Sequence, residues 1–145
     1  MPSLVRERLL TAAFVARAKH NSGAPVEDKA RERDVIGRAV KLGLGMGIDP
    51  EVTLKVFTAQ IEANKTAQRE LLSRWSKLPP FGEVPDLAKE VRPTLDALTP
   101  KILAALKMKR YRPASDFALP FLPPVFGPAW KVAIRPLVQA GKGKP

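Results

Sequence analysis

The chain has no cysteine and one histidine, His20. Without cysteine there are no disulfides, thiolate metal sites or cysteine nucleophiles. A single histidine argues against a histidine metal cluster and against a Ser-His-Asp triad. Acids are also scarce: 14 stand against 25 basic side chains, which leaves a formal charge of +11. No apolar run is long enough to cross a bilayer. No cleavable signal pattern is visible, because basic residues begin at Arg6 and polar ones follow closely. There is no internal repeat, and no stretch alternates with the period of two that a half-buried strand requires.

What remains is one domain's length of chain, 145 residues, at 45% apolar and 27% charged, enough to build a core. The charge is uneven. Residues 1–106 hold 17 basic and 13 acidic groups, whereas 107–145 hold 8 basic groups and one acid, Asp116. Seven of the 15 prolines fall between Pro113 and Pro145. The expected organisation is a helical domain over 1–110 and a basic, Pro-rich extension over 111–145, packed on the helices or partly disordered.

The body reads as all-α. Residues 3–21 place Leu4, Leu9, Ala12, Ala13 and Ala16 at helical spacing. Asn21 to Pro25 is a turn cluster. A second helix starts near Glu27 and Asp28, whose charges suit a helix N-terminus, and runs to a stop at Gly47. Asp49-Pro50-Glu51 is a restart signal of cap, first-position proline and first-turn acid. The third helix is expected over Glu51 to Lys77, with a stripe of Val52, Val56, Ala59, Ala63 and Leu71. A linker holds Pro79, Pro80, Gly82 and Pro85. Asp86 then caps a fourth helix reaching Lys109, bent at Pro93 and Pro100.

Polar residues share faces on these helices. Arg8 and Lys19 are eleven apart, about three turns. Asp28, Arg31 and Glu32 crowd the start of the second helix, and Asn64 and Gln68 stack four apart on the third. Taken singly, each has an ordinary reading as a solvated charge, a local cap or a neutral helix residue. Taken together, several cations and two neutral amides can converge on one anionic ligand.

These residues also carry a family likeness. Arg8-Leu9, Val15-Ala16 with Lys19, Pro25 to Asp28, Arg31-Glu32, Gly47 to Pro50, Val56-Phe57, Gln60 to Lys65, Gln68 and Trp75 resemble the all-helical chorismate mutases. Asp86-Leu87, Val91 to Pro93 and Leu95 to Leu98 resemble the fourth helix of the exported (gamma) subclass. The likeness covers residues 5–106 and leaves the tail after Lys107 unmatched. It implies a chorismate mutase-type helical bundle that turns chorismate into prephenate by a pericyclic step, with no covalent intermediate, no metal and no cofactor.

The resemblance implies roles residue by residue. Arg8, Arg31 and Arg92 match arginines that bind the substrate's two carboxylates. Lys19 matches the lysine that contacts the ether oxygen and a carboxylate, and Gln68 the residue on the other side of that oxygen. Asn64 matches a small polar residue near a carboxylate, and Glu32 the acid that accepts the substrate hydroxyl. Asp28 matches an acid that orients the binding turn and can pair with Lys19. Some relatives carry a glutamate in place of Gln68, which must be protonated to donate; an amide donates at any ordinary pH. Val35 stands where some exported relatives have a polar ligand. Arg92 lies on the chain's own fourth helix, so the site is expected within one protomer, and a homodimer is compatible with it. The exported subclass implies a periplasmic or secreted mature protein, with a cytoplasmic location also open.

Other readings stay open at this stage. A close alternative is a lyase that eliminates pyruvate from chorismate or isochorismate; a distant one is a non-catalytic basic module. The body is only mildly basic and its aromatics do not alternate with cations, which disfavours nucleic acid as a partner. Gly43 to Gly47 is glycine-rich but ends a helix, so it is no dinucleotide loop. Asn64-Lys65-Thr66 is formally a glycosylation sequon, set in mid-helix. Phe117 to Trp130 bears no charge; its four prolines forbid a long helix, and it is expected to bury its aromatics over the bundle.

Overall fold

The computed structural model describes residues 1–108 and 123–142, with side chains as far as 138. Among the described residues there are five α-helices: α1 (Pro2–Ser22), α2 (Lys29–Gly45), α3 (Pro50–Arg74), α4 (Arg92–Lys107) and α5 (Gly127–Lys142). Among the described residues there is no strand, and no helix is long and apolar enough to cross a membrane.

The helix ends follow from local chemistry. Gly23 closes α1 at φ 74°, a left-handed conformation that glycine adopts without steric cost, and its N–H donates to Lys19 O. The Asp28 side chain caps α2 by accepting the Arg31 N–H. Asp49 caps α3 by accepting the Glu51 N–H, with Pro50 in the first turn.

α3 is the hub, packed by α1, α2 and α5. Val5, Leu9, Ala12 and Ala16 form the buried stripe of α1. On α3 the expected Val56, Ala63 and Leu71 are buried, but Val52 is 40% exposed, and the buried surface widens to take in Thr53, Phe57 and Gln60. A helix covered on several sides buries more than one face, so a single stripe does not describe it. Gly43 lets α2 approach α3 and α4 closely. A Cβ there would lie 2.9 Å from Thr53 Oγ1 and 3.4 Å from Leu103 Cδ2. Gly43→Val is therefore expected to destabilise the fold by about 2–3 kcal/mol, read from urea denaturation.

Two features differ from expectation. The fourth helix does not start as an α-helix. Asp86 caps one wide, π-type turn over Leu87–Val91, and α4 proper begins at Arg92 with Pro93 in its first turn. Pro93 thus sits where a missing N–H costs nothing, and only Pro100 is internal.

The second difference is α5. Prolines suggested an irregular tail, yet Gly127–Lys142 is helical and inserts Ala129, Trp130, Ala133 and Leu137 into the core, with Phe126 of the preceding 3-10 turn beside them. Three of the four prolines in the uncharged segment precede the helix. Pro136 is internal, and Gln60 Nε2, 2% exposed as a residue, donates to the nearby Ala133 carbonyl at 3.2 Å. The expected boundary at 110/111 and residues 117–122 of the uncharged segment lie outside the described residues.

Candidate active site

One cavity of about 170 Å³ lies between α1, the start of α2, α3 and the α4 segment. Arg8, Lys19, Asp28, Arg31, Glu32, Asn64, Gln68 and Arg92 all line it. Every residue singled out from the sequence is thus brought to one place. Val15, Val26, Val35, Ile61, Leu87, Val91 and Leu95 supply apolar walls. Lys65, Asp96 and Thr99 also line it and were not singled out. Five cations against three carboxylates leave the lining at a formal +2.

Arg8 is the most telling member. It stands three residues after Val5 and four before Ala12, on the buried stripe of α1, and is itself only 5% exposed. Its side chain makes no ion pair among the described residues, and its Nε is buried with no hydrogen-bond partner. Burial pushes the guanidinium down to about 10, which leaves it a cation at neutral pH. A buried, unpaired cation is costly and calls for an anion.

Lys19 is partly buried. Burial lowers its pKa below the ordinary lysine value; the charges of Asp28 and Glu32 act against that shift and the charge of Lys65 acts with it. Its Nζ donates to Val26 O at 2.8 Å. The expected pairing with Asp28 is not made: Asp28 Oδ1 caps α2 by accepting the Arg31 N–H, and no ion pair joins Asp28 to Lys19. Asp28 acts on Lys19 only through its field. Arg31 gives its N–H to Asp28, and its guanidinium lies 3.8 Å from Asp34.

The amides on α3 form a relay. Asn64 Nδ2 donates to Thr11 Oγ1 at 3.2 Å and approaches Arg8 O at 3.5 Å, tying α3 to α1. Its Oδ1 accepts from Gln68 Nε2 at 2.6 Å. This fixes the Gln68 amide and leaves its second N–H for a ligand, since an amide nitrogen carries two. Gln68 Oε1 is buried with no partner. Asn64 is buried, so the formal sequon is sealed inside the bundle.

Arg92 reaches the cavity through a pinned linker. Asn21 Nδ2 donates to Phe81 O and Asn21 Oδ1 accepts the Phe81 N–H, each at 2.8 Å. His20 Nε2 lies 3.1 Å from Leu78 O, and the rings of His20, Trp75 and Phe81 cluster, with the Arg17 guanidinium over Phe81. His20 is thus an anchor for the linker. Asn21→Ala removes both bonds and is expected to cost about 1–3 kcal/mol in denaturant unfolding.

Lys65 was given no site role because a helical lysine ordinarily reads as solvated. Only the fold brings it to Glu27, Glu32 and Glu62. Burial lowers its pKa, but the hydrogen bonds and charges of Glu32 and Glu62 outweigh burial and raise it.

Comparison with known proteins agrees with this picture. The family described as chorismate mutase type II matches residues 2–69. A secreted chorismate mutase from Yersinia pestis is 31% identical over 113 residues, 77% of this chain; the chain spans 61% of that relative's length. A chorismate mutase from Methanocaldococcus jannaschii is 35% identical over 69 residues, 48% of this chain and 70% of that one. The solved structure of a chorismate mutase from Burkholderia thailandensis superposes with a TM-score of 0.85 at 30% identity, covering 94% of this chain and 95% of its own. Coverage of 94% carries that match into α5, so this helix takes part in the shared architecture.

Proposed function

Because the chain belongs to the chorismate mutase family, we propose that it rearranges chorismate to prephenate in the cavity between α1 and α4. The reaction breaks one C–O bond and forms one C–C bond within a single molecule. It needs no nucleophile, and so suits a lining of cations, amides and apolar side chains. The substrate is a dianion, and the lining's formal +2 complements it.

Arg8, Arg31 and Arg92 are the carboxylate-binding groups, since a guanidinium fork meets a carboxylate in two parallel bonds. They hold the extended substrate in its compact, reactive conformer. Lys19 and Gln68 donate to the ether oxygen, where negative charge grows as the C–O bond breaks. Asn64 orients Gln68 and ties it to α1. Glu32 accepts the substrate hydroxyl, and Asp28 builds the turn that presents Arg31 and Glu32. Arg92 comes from the same chain as Arg8, so the site does not rely on a partner subunit.

The observation that carries this reading is Arg8, a buried cation on an apolar stripe with its Nε unsatisfied. The test is to follow chorismate with the purified protein by proton NMR. Prephenate is the expected product; pyruvate release would assign a lyase instead. Similarity to proteins named secreted supports an exported enzyme, and we propose the periplasm as its destination, read by fractionating the native host. A homodimer is a further proposal, tested by sedimentation equilibrium.

A further inference from the structure

Lys65 follows Asn64 on α3, and no role in the proposed reaction has been given to it. Its side chain is 6% exposed, yet Nζ lies 2.9 Å from Glu32 Oε1, 2.9 Å from Glu62 Oε1 and 3.5 Å from Glu27 Oε1. Glu62 is one turn back on the same helix; Glu27 and Glu32 flank the start of α2. The second oxygen of Glu32, Oε2, accepts the Asp28 N–H at 3.0 Å. Asp28 in turn accepts the Arg31 N–H at 3.0 Å. A single ammonium therefore ties the first turn of α2 to α3, on which Gln68 is mounted.

We propose that Lys65 is a positioning residue that holds Glu32 in the orientation that receives the substrate's ring hydroxyl. The proposal rests on reading this cavity as a chorismate site. A glutamate at a pocket rim has several open rotamers, and only some turn an oxygen inward. Here one oxygen is held by Nζ and the other by a backbone N–H, so the carboxylate is set before the substrate arrives. Each carboxylate oxygen has two lone pairs, and Glu32 keeps capacity for one more donor. Burying the ammonium carries a desolvation cost that three carboxylates offset. A lysine that served only to join two helices would not have to share its acid with the cavity lining.

The test is a double-mutant cycle with Lys65→Met and Glu32→Gln, read as steady-state turnover of chorismate. Lys65→Met alone is expected to lower kcat/KM about tenfold, within the coupling range of residues in contact, and through KM more than kcat. Added to Glu32→Gln, it is expected to cost less than a further twofold. An unchanged kcat/KM in Lys65→Met overturns the proposal. So does a full tenfold loss repeated in the Glu32→Gln background, and so does a loss confined to kcat, which would mark a lysine that merely keeps the protein folded. Where Lys65→Met does not fold, the same cycle is run with Lys65→Gln, which keeps a neutral donor. A parent chain that converts no chorismate overturns the functional reading and this proposal together; an active parent with an additive cycle overturns this proposal alone.

Discussion

Lys19→Ala is expected to lower kcat by about 10²–10³-fold, the loss seen when one preorganised donor to a developing oxyanion is removed. The larger part of the loss should fall on kcat, because charge on the ether oxygen grows only as the bond breaks; KM should rise as well, since the same ammonium contacts a carboxylate that is charged in the ground state. Folding is expected to survive, since Lys19 is only partly buried and its one hydrogen bond goes to the Val26 carbonyl. Steady-state kinetics beside a thermal melt separates the two effects. The same residue sets an alkaline limit. In the proposed role the protonated form is the active one, and burial lowers its pKa. Rising pH therefore removes the charge, and with it activity, below the value of an ordinary lysine.

Gln68→Glu is expected to lower activity about 10²–10³-fold at pH 7.5, for the opposite electrostatic reason. The amide that donates to the ether oxygen becomes an ionised carboxylate that repels the charge growing there. Asn64 Oδ1, which accepts from Gln68 Nε2 at 2.6 Å, would then face a second acceptor. Both the burial and that contact favour the protonated acid and raise its pKa. Activity of the variant should therefore climb as pH falls from 7.5 to 5, while the parent, whose amide does not titrate, shows no such gain. A pH series of kcat on both proteins reads the difference.

The legible parts of this molecule are those set by local rules. Asp28, Asp49 and Pro50 announce helix starts, and Gly23 a stop, because each answers a nearby backbone requirement. The site was legible for a related reason: Arg8, Asn64 and Gln68 are polar side chains on faces that otherwise go inward, and the fold seals all three. The parts that escaped depend on distant chain. Lys65 reads as a solvated lysine until Glu27 and Glu32 arrive from across the bundle. Gln60 looks misplaced until α5 packs on α3 and the Ala133 carbonyl accepts from its amide. α5 was hidden by its prolines, yet Pro128 lies in its first turn, where no N–H is needed, and only Pro136 is internal. The Asp28–Lys19 pairing is not made, since Lys19 Nζ turns to the Val26 carbonyl, a contact set by the loop before α2.

The central claim is that a cavity built within one chain around an unpaired buried arginine turns over a dianionic enol ether. The most direct measurement is the rate at which purified protein depletes chorismate, followed by its ultraviolet absorbance, for the parent and for Arg8→Ala. The parent is expected to consume chorismate far above the spontaneous rate, and Arg8→Ala to lose at least about tenfold in kcat/KM, as expected when a buried partner of a carboxylate is removed. A folded parent that leaves chorismate at its spontaneous rate, or an Arg8→Ala variant as active as the parent, would contradict the account.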